Sequence, residues 1–173
     1  MILVPDRFVY LAAPRTGSRT TVEALLGHCG GQKLSAGHHA TRAELAALDT
    51  ALPVYSMMRD PWSHLMSAFR RSSHARLRDF VNSWNPDPLG EWDGRMAPYD
   101  GFVDHYFIYE DGLAHFFRTV GFPDVPLTHK GRYETPIMGK AVADDDAQWA
   151  RDVYAEDFRR YDRWRHANAC FII

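Results

Sequence analysis

Cysteine is scarce in this chain. The two present, Cys29 and Cys170, lie far apart, which excludes a disulfide framework or a zinc-type pair and points to a reducing compartment. Long apolar runs are missing as well. No stretch approaches the roughly 20 residues that cross a bilayer, and no basic region with a long apolar run precedes the first expected strand. Neither a signal peptide nor a membrane partner is expected, and the expected location is cytoplasmic. An excess of positive charge is also absent: 20 Lys and Arg against 22 Asp and Glu give a net charge of −2, which argues against a nucleic-acid partner. No repeat or low-complexity tract occurs. What remains is an ordinary globular composition, 46% hydrophobic and 24% charged over 173 residues, suited to a single domain spanning 1–173 with one core.

The first half alternates strand and helix signals. Phe8–Ala13 is a short apolar run that reads as a buried strand. A helix follows over Ser18–Cys29, with Val22, Leu25, Leu26 and Cys29 on one face. Thr41 and Glu44 have capping-box spacing ahead of Leu45 and Leu48. Pro53–Met58 reads as a second buried strand, and Pro61 opens a helix in its first turn. A third strand is expected at His105–Tyr109, a helix at Asp111–Val120, and a last helix over Asp145–Arg165, broken once. Ser83–Gly101, with three prolines, Trp84 and Trp92, reads as a long irregular segment. Strand–helix alternation implies a three-layer α/β fold, a short parallel sheet flanked by helices. Ligands then bind beyond the carboxyl ends of the strands, in Pro14–Thr21 and Arg59–Ser67.

Pro14-Arg15-Thr16-Gly17-Ser18-Arg19-Thr20-Thr21 joins a strand to a helix through a glycine turn. Such a junction gathers free N–H groups and the positive helix end at one point. Arg15 adds charge, and Ser18, Thr20 and Thr21 add hydroxyls. A plain helix start with a surface arginine is the alternative. A Walker A loop is excluded, because there is one glycine and no lysine follows it. The second segment, Arg59-Asp60-Pro61 with Ser67 eight residues after Arg59, places an arginine at a strand end, where a charge needs a partner. A surface Arg–Asp pair is the alternative there, and Asp60 as a metal ligand is a further one.

Together the two segments resemble the PAPS-dependent sulfotransferases (PAPS is 3′-phosphoadenosine 5′-phosphosulfate). That superfamily carries a 5′-phosphosulfate loop, Pro-Lys-x-Gly-x-Thr/Ser-Thr/Ser, and a 3′-phosphate motif, Arg-x-Pro-x5-Ser. The chain is most similar to the membrane-anchored carbohydrate sulfotransferases, in a short form. Gly37-His38-His39-Ala40-Thr41 resembles their His-containing segment, Phe107–Asp111 their strand-end Tyr-Glu segment, and Tyr154–Phe158 with Tyr161 their C-terminal helix. Arg15 stands where the family has lysine.

The resemblance implies a P-loop-kinase-like fold and sulfuryl transfer from PAPS to a hydroxyl on a carbohydrate or small molecule, leaving PAP, the 3′,5′-bisphosphate, with no metal. It implies that Arg15 stabilises the leaving phosphate. Pro14, Arg15, Thr16, Gly17, Ser18, Arg19, Thr20 and Thr21 would hold the 5′ end, and Arg59 and Ser67 the 3′-phosphate. Lys130 or Arg132 would add a contact, a solvated turn being the alternative. A hydroxyl acceptor needs a general base. His38 and His39 are the candidates by position; neighbours in an extended segment point opposite ways, so at most one is expected to face the cleft, and His38 is favoured. Glu23 and Glu44 remain open for the role. A histidine cluster of His38, His39 and His129 has no metal-ligand spacing. Trp84, Trp92 and Tyr99 offer flat faces for an acceptor ring. Two other classes stay open, a divergent nucleotide kinase and a catalytically silent nucleotide-binding or assembly protein.

Overall fold

The computed structural model describes residues 1–84, 99, 101–128 and 141–170. The chain divides into two compact units, one made of Met1–Met58 and Tyr99–Arg132, the other of Arg59–Pro98 and Tyr133–Ile173.

The first unit holds a five-stranded mixed sheet. Its strands are β1 (Ile2–Val4), β2 (Phe8–Leu11), β3 (Gln32–Lys33), β4 (Val54–Met58) and β5 (His105–Ile108), in the order β3-β1-β2-β4-β5. The β2, β4 and β5 ladder is parallel, as expected, with Leu11 opposite Ser56 and Met58 opposite Ile108. The expectation of a purely parallel sheet is corrected by β1 and β3, which add antiparallel strands at one edge. Both escape the periodicity. β1 is three residues long and ends at Pro5, while both residues of β3 are exposed. The β1–β2 turn closes through Arg7 N to Val4 O at 3.1 Å, with Asp6 in the left-handed region at φ 59°, a conformation that Asp tolerates better than most.

Every residue of β2 is buried, as a strand covered on both faces requires. One face, Phe8, Tyr10 and Ala12, packs with Val22 and Leu25 of α1 (Ser18–His28) and with Phe116 and Phe117 of α5 (Leu113–Thr119). Leu26, expected on the buried face of α1, is instead exposed. The buried stripe runs from Thr21 and Leu25 toward Thr20 and Ala24, not toward Leu26. A short helix, α2 (Arg42–Ala46), and a 3-10 turn at Tyr109–Asp111 complete the described helices of this unit.

The second unit is helical. Leu65 and Phe69 of α3 (Pro61–Phe69), Leu77, Phe80 and Val81 of α4 (Leu77–Ser83) and Ala150 of α6 (Asp144–Val153) share one core with Tyr154. The expected break in the last helix falls at Tyr154, after which α7 (Ala155–Cys170) begins. Helix α4 had no sequence signal, being seven residues long. No helix among the described residues is long and apolar enough to cross a membrane.

A buried carboxylate ties α4 to α6. Asp146 is 2% exposed and receives Arg76 at 3.2 Å and Arg78 at 3.1 Å. Arg78 also lies over the Trp149 ring at 5.0 Å. Both guanidinium groups reach solvent, which moderates the energy. Asp146→Asn is expected to cost roughly 1–2 kcal/mol. Arg76→Ala alone should cost less, because Arg78 stays. Urea denaturation measures both, and an Asp146→Asn midpoint equal to wild type would show the clamp to be inert.

Candidate functional site

The chain leaves β2 through Ala12 and Ala13, both buried, and turns over Pro14–Gly17 into α1. Arg15 and Gly17 both take positive φ, 61° and 70°. Glycine is required at 17 for a second reason: a Cβ there would sit 2.9 Å from the Tyr109 ring and 3.4 Å from Leu113. The threonines shape the loop. Thr16 Oγ1 donates to Ala13 O at 2.9 Å, and Thr21 Oγ1 to Gly17 O at 3.3 Å. Both are fully buried, so their hydroxyl protons are spent inside the loop rather than turned to a ligand. Tyr10 lies beneath, and burial pushes its phenol up, with the Thr21 and Thr16 hydroxyls beside it.

Pro14 is half-buried, and Ser18 and Thr20 are buried in the first turn of α1, while Arg15 and Arg19 are exposed. The amides of Ser18, Arg19 and Thr20 precede the first N–H that finds an intrahelical acceptor, namely Thr21 N on Gly17 O. Gly17 supplies no side-chain cap, and no acidic residue lies in this first turn. Helices α2 and α3 differ. Thr41 with Glu44 closes the first in a full capping box, and Asp60 closes the second by accepting Ser63 N at 2.7 Å. The positive end of α1 is thus left open, as is that of α5, which also starts at an uncapped glycine with no acid in its first turn.

The histidine segment departs from expectation. Residues 35–39 form a bend rather than an extended run, so the two rings do not point opposite ways. They meet edge to face at 4.7 Å, and both reach the loop after β2. His38 Nε2 is hydrogen-bonded to Ser18 Oγ at 3.1 Å, and His39 Nδ1 to Ala12 O at 2.6 Å. A carbonyl only accepts, so His39 Nδ1 carries the proton and its Nε2 is the basic nitrogen. Desolvation, followed by His39 and the neighbouring cations, lowers His38 to about 4. Desolvation also lowers His39, against the Ala12 bond. Both rings are neutral at neutral pH.

Glu44 is not a free base. Its carboxylate accepts Ala36 N at 3.0 Å, Thr41 N at 2.8 Å and Thr41 Oγ1 at 3.1 Å, and these bonds hold it below the usual carboxylate range. Glu23 is half-buried on α1. Tyr99, expected to offer a face to an acceptor, is 1% exposed and donates its phenol to Ala12 O at 3.0 Å. Its ring is core, and that role is withdrawn. Trp84 is half-buried and stacks on Phe80 at 5.1 Å, so one indole face is already used.

In the second unit, Arg59 is half-buried and directly precedes the Asp60 cap. Ser67, also half-buried, lies about 10 Å up α3 from that cap, and 100° per residue returns it to nearly the same angular position. Lys130, Arg132, His129 and Trp92 lie outside the described residues. No group of three or more His, Cys, Asp or Glu among the described residues is arranged to hold a metal ion. The sequence reading missed the Ala36–Glu44 bond and the Tyr109 contact beneath Gly17. Both join residues whose spacing carries no signal.

The lowered histidines imply an acid-sensitive fold. Folding favours the neutral rings, so their contribution is complete above the unfolded value of about 6.5 and is lost as pH falls toward the folded value, about 4 for His38. The melting temperature of wild type should therefore drop between pH 6.5 and 4 by more than that of a His38→Gln/His39→Gln variant. Parallel curves for the two proteins would show that the pair does not titrate in this window.

No protein-family model, curated protein or solved structure matches this chain.

Proposed function

We propose that the chain is a PAPS-dependent sulfotransferase with a P-loop-like nucleotide site, acting on a hydroxyl of a carbohydrate or small molecule. One observation carries this. The first turn of α1 is uncapped and free of acid, flanked by exposed Arg15 and Arg19, and entered through a left-handed turn. Backbone N–H groups at such an end favour an anion, and two arginines strengthen the preference. The neighbouring parallel strand adds support. Leu11 pairs with Ser56 in parallel, so β2 and β4 end at the same side of the sheet, where ligands of such sheets bind.

The donor residues divide by chemistry. The amides of the first turn and Ser18 would take the 5′ end, with Thr16 and Thr21 holding the turn. Arg15 would stabilise charge on the leaving phosphate oxygen. By the resemblance, Arg59 and Ser67 would take the 3′-phosphate. In the transfer, the acceptor oxygen bonds to sulfur as the bond from sulfur to the 5′-phosphate oxygen breaks. The acceptor's proton goes to a base. His39 suits that role better than His38, because the Ala12 bond leaves its Nε2 unprotonated, whereas the Nε2 of His38 is engaged by Ser18.

Two measurements test this. PAP should raise the melting temperature more than AMP or ATP with magnesium, and Arg59→Ala should weaken PAP by about 10- to 150-fold while leaving AMP nearly unchanged. Equal losses for both ligands, or a preference for magnesium–ATP, would overturn the assignment. Turnover separates an enzyme from a silent binder. Arg15→Ala should lower kcat far more than PAP affinity, and Arg15→Lys should retain much of the rate. PAP binding with no turnover across a broad panel of hydroxyl acceptors would leave a binding protein only.

A further inference from the structure

We propose that Glu44 is a positioning residue that sets the ring tautomer of His39 by clipping the bend that carries both histidines. Its carboxylate does more than cap a helix. A capping box needs the Glu side chain only on the N-cap N–H, which here is Thr41 N, 2.8 Å from Oε2. The other oxygen, Oε1, reaches back across the bend to Ala36 N at 3.0 Å. One carboxylate therefore joins the residue two places before His38 to the residue two places after His39. Other bonds hold the bend elsewhere, Met1 N to Ser35 Oγ at 2.6 Å, Ser35 Oγ to Gly37 O at 3.0 Å, Lys33 Nζ to Ala36 O at 2.9 Å and His38 Nε2 with Ser18 Oγ at 3.1 Å, but it is the Glu44 carboxylate that spans it from Ala36 to Thr41. With Glu44 in place, His39 Nδ1 is delivered to Ala12 O, 27 residues away in the chain. Without it, the segment loses its closure, and a neutral histidine in water is free to place its proton on Nε2 instead.

The tautomer is a physical property of the chain whatever the reaction. Its catalytic consequence rests on the sulfuryl-transfer reading, in which an unprotonated Nε2 accepts the acceptor's proton. A carboxylate acting through a backbone bend is harder to see than one bonded to the ring, but the outcome for the ring is the same: one nitrogen is committed as donor, the other as base.

Nitrogen-15 NMR of the histidine rings at pH 7.5 tests the inference directly on the full chain. Wild type should show His39 protonated at Nδ1. In Glu44→Ala the proton should move largely to Nε2, and in Glu44→Gln, which keeps one acceptor oxygen, the shift should be partial. Thr41→Ala is the control. It removes the hydroxyl of the cap but leaves both backbone amides on the carboxylate, so His39 should keep its Nδ1 proton. A wild-type ring already protonated at Nε2, an unchanged tautomer in both Glu44 variants, or equal losses in Glu44→Ala and Thr41→Ala would each overturn the proposal, the last by showing that Glu44 only caps α2. Should Glu44→Ala fail to fold, Glu44→Gln alone decides, on the same spectrum. Alongside, kcat should fall about 10- to 100-fold in Glu44→Ala at unchanged PAP affinity. A tautomer that shifts as stated in a chain with no sulfuryl transfer leaves the positioning role intact and removes the proposed activity. Transfer with an indifferent tautomer does the reverse.

Discussion

Three consecutive carbonyls at the end of β2 organise the first unit. Leu11 O accepts Ser56 Oγ at 2.8 Å, Ala12 O accepts both His39 Nδ1 and Tyr99 Oη, and Ala13 O accepts Thr16 Oγ1. These groups lie where the strand stops and are buried with Leu11, Ala12 and Ala13, so leaving them unpaired would cost about 1–3 kcal/mol each. Each is satisfied by a side chain from a different place: the adjacent strand, the histidine bend, residue 99 and the turn itself. The need to satisfy one short run of backbone thus draws the turn, the bend and Tyr99 to a single point. Small residues at 12 and 13 leave room for these donors to reach the carbonyls.

The parts legible in the sequence are those with a local cause. Phe8–Leu11, Val54–Met58 and His105–Ile108 are apolar runs, and each is a strand in the parallel ladder. The Thr41–Glu44 box and Pro61 at a helix start depend on spacing alone, and both are present. What was illegible depends on distant partners. Nothing near Gln32 or Lys33 announces a strand, because β3 exists only by pairing with β1. Tyr99 looked like a surface ring from its neighbours, yet its hydroxyl serves Ala12, 87 residues earlier. The histidines were placed on opposite sides by a rule for extended chain, and the rule failed because residues 35–39 form a bend that the Glu44 carboxylate spans.

The loop also shows how similar side chains divide between structure and chemistry. Thr16, Ser18, Thr20 and Thr21 are all buried hydroxyl residues at a helix start. Thr16 and Thr21 give their protons to carbonyls within the loop, whereas Ser18 is turned to His38. Spacing alone treats them as equivalent anion donors. The hydrogen-bond partners separate two loop fasteners from one hydroxyl coupled to an imidazole.

Arg15 presents the opposite case, a side chain whose backbone is costly where it stands. A left-handed conformation outside glycine costs about 1–2 kcal/mol, and Arg15 holds φ 61° while remaining exposed. Burial gives nothing back at this position. The conformation persists because the residues around it are fixed: Ala13 by the Thr16 bond, and Gly17 by its close approach to Tyr109. Glycine at 15 would relieve the strain and leave those bonds in place. Strain kept at an exposed cation, beside an uncapped helix end, is a reason to seek the role of that residue in what it binds.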